Sequence, residues 1–224
     1  MSAPGMLTMR RARQLEAVHR AISMGLHAAA DQLSFFVGQR ITIEAPRLGL
    51  CPIEQLVECA LGIAFEEVPT RMPDAMMTGL YLGMDGDVTG HFLLLLAPSD
   101  AQALVAPLIE EVQPPPEQRE AMIQSALGEV GNITASGLLN ALADATKLRI
   151  FPSCPAVVTD MAGAILEMPL LDIAQVAEEA LYIETSIMMA GFSATGSVAL
   201  IPHPSGLEML VQALAPPKPG RRKR

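Results

Sequence analysis

Cysteine is scarce in this 224-residue sequence and forms no recognisable pair. The three cysteines are Cys51, Cys59 and Cys154, none of which belongs to a CxxC motif, and their number is odd. This usage is typical of a reducing compartment, where thiols stay free. We therefore expect a cytoplasmic protein.

A long apolar run is also missing. No uninterrupted stretch approaches the ~18 residues that a membrane-spanning helix needs, and the run from Phe92 to Ala97 has the length of a buried strand. Arg10, Arg11 and Arg13 are not followed by an apolar segment of the kind found in a signal peptide. The sequence therefore predicts a soluble protein without membrane insertion.

Basic charge is rare outside the last residues of the chain. The formal net charge is −9. Residues 217–224 hold five basic groups and no acid, so residues 1–216 carry −14 (−9 minus 5). An acidic body argues against nucleic acid as a partner. Prolines and a glycine around the basic groups predict a disordered tail over residues 216–224, and residues 1–12 are expected to be a flexible N-terminus.

The motifs of several enzyme classes are absent. There is no Gly-rich phosphate loop and no nucleophile elbow. Asp85-Gly86-Asp87 is typical of a turn, because the glycine is misplaced for a calcium loop and no glutamate closes it. His91 and His203 are interpreted as ordinary strand or loop residues. We expect no metal site and no cofactor belonging to the chain itself.

The chain contains an internal repeat, which changes how every residue is interpreted. A shift of 109 residues aligns one part of the first half with the second half, and a shift of 106 residues aligns a later part. A loop deletion in one half would produce this three-residue difference. The sequence predicts a first half over residues 13–113, a Pro-rich seam at 114–116 and a second half over 117–215. The aligned pairs include Arg40-Ile41 with Arg149-Ile150, Leu33 with Leu142, Pro46 with Pro155, and Pro98-Ser99 with Pro204-Ser205.

Both halves share one predicted order: a long helix, an extended segment, an irregular middle, a β-hairpin and a short helix. The first hairpin is predicted to pair 80–84 with 88–96, and the second to pair 181–189 with 197–201 around a turn at 191–196. Ser99 and Ser205 are the predicted N-caps of the short helices. The expected fold is α+β with pseudo-twofold symmetry and a central antiparallel sheet.

One predicted helix, residues 117–146, carries an unusual polar stripe. Its apolar positions lie on one side at 100° per residue. Steps of 4, 3 and 4 residues place Ser125, Glu129, Asn132 and Ser136 together on the opposite side. A solvated helix face is often simply polar, so the stripe alone does not indicate a function. Gly128 and Gly131 flank it, although helical glycine costs roughly 1 kcal/mol relative to alanine, and close approach by another surface would offset that cost.

The spacing of Ser125, Glu129, Asn132 and Pro155 resembles the signature of the CheC, CheX and FliY family of chemotaxis phosphatases. The segments Glu129-Val-Gly-Asn-Ile133, Leu139-Asn-Ala-Leu-Ala143 and Asp160-Met-Ala-Gly-Ala-Ile165 look most like CheC. The resemblance runs from about 118 to 214 and extends weakly back to about 13 through the repeat. It implies two long helices lying side by side on one face of the sheet.

The resemblance also implies an activity, the hydrolysis of the aspartyl phosphate of a CheY-type response regulator in two-component signalling. Glu129 and Asn132 would be the catalytic pair, and Ser125, Ser136 and Pro155 would support them. A Mg²⁺ ion would belong to the regulator.

The first half departs from the signature. A shift of 109 residues places Glu16 at the Ser125 position, Arg20 at the Glu129 position and Ser23 at the Asn132 position, while Pro46 is retained. A base has replaced the acid, and the amide is missing. The first site is therefore interpreted as degenerate, and its helix as scaffold.

A different class of function uses the same helix face. The chain could be a non-catalytic adaptor that binds a response regulator, a flagellar switch component or a CheD-like deamidase. The paired Glu129 and Asn132 favour the enzyme, since binding alone does not need an amide at that spacing. Two fused halves reduce the need for a dimer and favour a monomer.

Overall fold

The structure, a computed structural model, describes residues 4–43, 47–55, 74–173, 179–189 and 192–214. The helices in these ranges are α1 Pro4–Val37, α2 Pro98–Val112, α3 Pro116–Thr146, α4 Ala162–Ile173 and α5 Pro204–Ala213. The strands are β1 Ile41–Ile43, β2 Arg47–Pro52, β3 Met76–Gly86, β4 Gly90–Leu96, β5 Ile150–Pro152, β6 Ala156–Met161, β7 Glu179–Met189 and β8 Phe192–Pro202. A 3-10 turn, Ile53–Gln55, follows β2.

The eight strands form one antiparallel sheet in which the two halves exchange strands. The order is β1-β7-β8-β4-β3-β5, with β2 also paired to β7 and β6 to β3. Strand β1 of the first half thus pairs with the second hairpin, and β5 pairs with the first. The counterparts in the two halves are β1 and β5, β3 and β7, and β4 and β8. Exchanging them gives the same strand order read from the opposite edge of the sheet. The α+β architecture with a central antiparallel sheet is confirmed, whereas duplication of the sequence stays a prediction.

Both faces of the sheet are covered. The long helices α1 and α3 pack on one face, where Phe92 and Leu94 of β4 enter the main core. Leu93 and Leu95 of the same strand point to the other face and pack with Ile165 and Leu166 of α4. Every residue of β4 is therefore buried. The two long helices lie on one face, as predicted.

The two long helices touch backbone to backbone where they cross. A Cβ placed on Gly25 would lie 2.7 Å from the carbonyl oxygen of Gly137, and one on Gly137 would lie 2.8 Å from that of Gly25. Real Cβ atoms do not approach backbone so closely, so the crossing requires glycine on both helices. This contact places α1 and α3 side by side.

Helix α1 begins at Pro4, and the division of the chain into halves at 13–113 and 117–215 stays a prediction. The predicted starts of the two short helices were wrong. The N-caps of α2 and α5 are Ala97 and His203 rather than Ser99 and Ser205. The physical reason is that Pro98 and Pro204 occupy the first helical position, which suits the fixed φ of proline and its missing N–H.

The second hairpin has a shorter connection than predicted. Strand β8 begins at Phe192, which pairs with Met189, so residues 192–196 belong to the ladder instead of a turn. Gly196 pairs with Thr185, and a Cβ there would lie 3.1 Å from Leu96. This glycine therefore makes room for core side chains. In the ranges described, no helix is long and apolar enough to cross a membrane.

Two glycines of α3 give opposite predictions for replacement by alanine. Gly137→Ala places a methyl group against the backbone of α1, so we expect a loss of about 1–3 kcal/mol in the free energy of unfolding, although alanine is the better helix former. The control is Gly128→Ala, whose Cβ would lie an ordinary 3.6 Å from Pro155. It should be neutral or stabilise by up to about 1 kcal/mol. Urea unfolding of both variants measures the difference. Equal effects would contradict the close crossing.

Candidate active site

Helix α3 carries the polar stripe and presents it at the surface. Pro116 begins the helix, and Lys147, in the left-handed conformation at φ 63°, ends it. Leu127, Val130 and Leu138 are buried against the sheet and α1. The stripe residues Ser125 and Glu129 are exposed, and Asn132 and Ser136 are half-buried. The structure thus brings all four onto one accessible side of the helix.

Glu129 and Asn132 lie side by side. The Nδ2 atom of Asn132 is 3.5 Å from both carboxylate oxygens of Glu129, the distance expected of neighbours one helical turn apart. A hydrogen bond of this length is weak. Both side chains therefore keep donors and acceptors for groups outside the chain.

The supporting serines differ in their surroundings. The hydroxyl of Ser125 donates to the carbonyl oxygen of Ala121, one turn earlier, at 2.9 Å. Its oxygen retains acceptor capacity for a second partner. Ser136 lies one turn beyond Asn132 on the same side. The spacing of 4, 3 and 4 residues therefore does place these side chains in one row.

Pro155 lies beside the row rather than at a distance from it. Its Cγ is 3.6 Å from the position of a Cβ on Gly128, and both residues line a shallow groove with Ser125 and Glu129. The preceding loop is held by β3, because the amide of Gly83 donates to Oγ of Ser153 at 2.8 Å. Pro155 thus forms one wall of the groove next to the catalytic pair expected from sequence.

The two flanking glycines serve contacts within the chain. Gly131 faces the sheet, where a Cβ would lie 3.0 Å from Cβ of Leu80. Gly128 leaves room for Pro155 and Val157. The surface that approaches Gly128 and Gly131 is therefore the protein's own sheet and loop.

An exposed aromatic side chain lies beside Glu129 and was not predicted from the sequence. Phe35 of α1 is 93% exposed, an unusual degree for phenylalanine. It lines a second shallow depression together with Glu129 and Ile133 of α3, so Glu129 stands between this depression and the groove at Pro155. Its helical spacing gave no signal, because adjacent Phe36 and nearby Leu33 point to the core.

The residues expected to form a degenerate first site lie on α1 as far as they are described. Glu16 and Arg20 are exposed, and Ser23 is half-buried with an Oγ that has no partner among the described residues. The buried positions of α1 from Val18 to Leu33 all fall on buried positions of α3 when shifted by 109 residues. This match supports the register used to align the two sites. Pro46 lies outside the described residues.

The fold is shared with FliY and FliM proteins of known structure. FliY of Thermotoga maritima superimposes with a TM-score of 0.66 at 14% identity, covering 90% of this chain and 95% of that chain. The FliM middle domain from H. pylori gives 0.58 at 10% identity, covering 89% and 97%. At these identities the likeness concerns the fold alone.

The sequence comparisons define the family. A family model described as the CheC-like family matches residues 122–159, a segment that contains Ser125, Glu129, Asn132 and Pro155. The CheY-P phosphatase CheC of Bacillus subtilis (strain 168) is 31% identical over 176 residues, which cover 78% of this chain and 79% of that protein. The chain belongs to the CheC-like family.

Proposed function

We propose that this protein is a phosphatase that hydrolyses the aspartyl phosphate of a CheY-type response regulator. The observation that carries the proposal is the accessible pair of Glu129 and Asn132 on one side of α3. The name of the Bacillus subtilis relative, CheY-P phosphatase CheC, supports the same substrate class.

The chemistry requires little from the enzyme. An aspartyl phosphate is already an activated acyl phosphate, so hydrolysis mainly needs a water molecule held in line with the leaving carboxylate oxygen. The side-chain amide of Asn132 suits this task because its oxygen accepts and its NH₂ donates hydrogen bonds. It carries no charge that would repel the phosphoryl oxygens. Asn132 positions the water and does not act as a base.

Glu129 has a docking role in this proposal. Its exposed carboxylate pairs with the lysine of the regulator's phosphorylation site. Such a pair fixes how deeply the polar stripe of α3 inserts into that site. Ser125 adds a hydrogen bond at the edge, Ser136 extends the polar row, and Pro155 shapes the neighbouring groove. The regulator supplies the Mg²⁺ ion, so the chain needs no cofactor for this reaction.

Phe35 extends the docking surface onto α1. An exposed aromatic ring beside a charged residue is a common anchor in protein interfaces. Phe35 and Glu129 line the same depression. The regulator would therefore contact both long helices while α3 supplies the chemistry.

Removing the amide of Asn132 is the direct test of the mechanism. Asn132→Ala should lower the rate of phosphate release from a phosphorylated CheY-type receiver by ~10²-fold or more, because a positioning group is lost. Asn140→Ala is the matched control, since Asn140 is an exposed asparagine of the same helix that lies two turns beyond Asn132. It should keep the wild-type rate. Equal rates for the two variants would remove Asn132 from the mechanism.

Replacing Phe35 should affect binding more than chemistry. Phe35→Ser is expected to weaken the complex with the phosphorylated receiver about tenfold, as loss of an apolar anchor does, and to leave the rate at saturating receiver unchanged. Met24→Ser is the control, because Met24 is 71% exposed on the same helix but does not line the depression. Titration of the rate against receiver concentration separates the two effects. A wild-type affinity for Phe35→Ser would exclude α1 from the docking surface.

The first half should contribute no second site. Arg20→Ala is expected to change phosphate release by no more than about twofold, the usual range for an exposed residue outside a functional site. A loss comparable to that of Asn132→Ala would show that α1 takes part in catalysis.

The adaptor remains the competing function. FliM proteins, which share this fold, are found with FliG or SpeE in solved complexes. As an adaptor this chain would bind a response regulator, a flagellar switch component or a CheD-like deamidase. An adaptor would bind the phosphorylated receiver without accelerating phosphate release. The same assay with wild-type protein therefore separates the two functions.

A further inference from the structure

A second polar cluster lies on the sheet face opposite to α1 and α3. It consists of His91 on β4, Asp172 near the end of α4, and His203, which precedes α5. The Nε2 atoms of His91 and His203 lie 3.0 Å and 2.9 Å from the same oxygen of Asp172, Oδ2. These three atoms all lie within 4.8 Å of one another. Three separate elements thus converge on one point.

The second ring nitrogen of each imidazole is hydrogen-bonded to a hydroxyl group. Nδ1 of His91 is 3.0 Å from the Tyr81 hydroxyl, and Nδ1 of His203 is 3.0 Å from Oγ1 of Thr89. A hydroxyl both donates and accepts, so Nδ1 is satisfied whether or not it carries the proton. Nε2 is therefore free to lose its proton and use its lone pair. Partners on the second ring nitrogen are typical of histidines that bind metals.

The histidines are fixed, while the carboxylate is accessible. His91 is 8% exposed, and its strand lies inside the sheet. The backbone amide of His203 donates to the carbonyl oxygen of Thr89 at 2.9 Å, which anchors the start of α5 to the first hairpin. The side chain of Asp172 is 54% exposed. The two histidines are therefore fixed by the sheet and the first hairpin, and the cluster is open to solvent on the side of Asp172.

The surroundings of His91 and Asp172 favour the forms of these two side chains that bind metal ions. Burial lowers the pKa of His91, although the neighbouring Asp172 opposes this shift. Hydrogen bonds from His203 and then His91 lower the pKa of Asp172. Neutral imidazole and ionised carboxylate are the forms that bind metal ions.

We propose that His91, Asp172 and His203 bind a divalent transition metal ion, for which Zn²⁺ is the probe. Two imidazole nitrogens and one carboxylate oxygen form a donor set that suits Zn²⁺ and related first-row ions, and the open side leaves a position for water or another ligand. The ion links α4 to the sheet and to α5. The site shares no residue with the polar stripe of α3, so it is independent of the proposed phosphatase activity.

The competing explanation is a purely structural cluster. Without an ion, both imidazole N–H groups donate to one carboxylate oxygen, and these two bonds also fasten α4 to the sheet. The two explanations differ in whether the protein takes up one equivalent of metal through these residues.

Metal uptake is measured on the full chain without an affinity tag. Metal-free protein is titrated with Zn²⁺ in competition with a chromophoric chelator, and one equivalent should bind. His203→Gln and Asp172→Asn should each weaken binding by at least about 100-fold, since loss of a residue that only supports a ligand already costs about 10–100-fold. Asp172 is exposed, so its amide variant keeps the fold testable. His27→Gln, which replaces an exposed histidine of α1, is the control and should bind as wild type does.

Two further readouts identify the ligands. Co²⁺ in place of Zn²⁺ should give visible absorption without thiolate charge-transfer bands, because the proposed ligands are nitrogen and oxygen. Such bands would instead indicate binding by a cysteine, of which exposed Cys154 is an example. Amide exchange over 162–173 should slow when Zn²⁺ is added, as α4 becomes linked to the sheet. Wild-type affinity in both His203→Gln and Asp172→Asn, or a thiolate band, would overturn the proposal, and so would the lack of any stoichiometric binding.

Discussion

The close contact between the backbones of α1 and α3 is the constraint on which the arrangement of this protein depends. At Gly25 and Gly137 the helices approach so closely that neither position has room for a side chain. Both helices can therefore pack on the same face of the sheet, and each keeps a single side toward solvent. On α3 that side carries Ser125, Glu129 and Asn132; on α1 it carries Arg20 and Phe35.

The two halves of the fold share one geometry but present different side chains on their long helices. The burial of α1 repeats in α3, and the strand order is unchanged when the halves are exchanged. Where α3 presents an acid and an amide, however, α1 presents a base and a hydroxyl. Membership of the CheC-like family explains the common scaffold. Under the proposed function the chemistry is confined to α3, and α1 is required by the sheet and by the crossing at Gly25 and Gly137.

Local patterns in the sequence were sufficient for the features that depend on one element. The row on α3 follows from helical periodicity, and the buried strand around Phe92 follows from its apolar run. Features that depend on distant pairing were not predictable. Residues 192–196 of the expected turn are part of β8 because residues of β7 pair with them, and β1 pairs with the hairpin of the other half. His91, Asp172 and His203 are 81 and 31 residues apart along the chain, so no spacing motif could connect them.

A phosphatase must turn over its phosphorylated partner, whereas an adaptor only holds it. Phosphate release from a phosphorylated CheY-type receiver, mixed with a small fraction of an equivalent of this protein, separates the two. We expect many turnovers per molecule of protein, so that the receiver loses its phosphate much faster than it does alone. A stable complex in which the receiver keeps its intrinsic rate of dephosphorylation would exclude the proposed phosphatase.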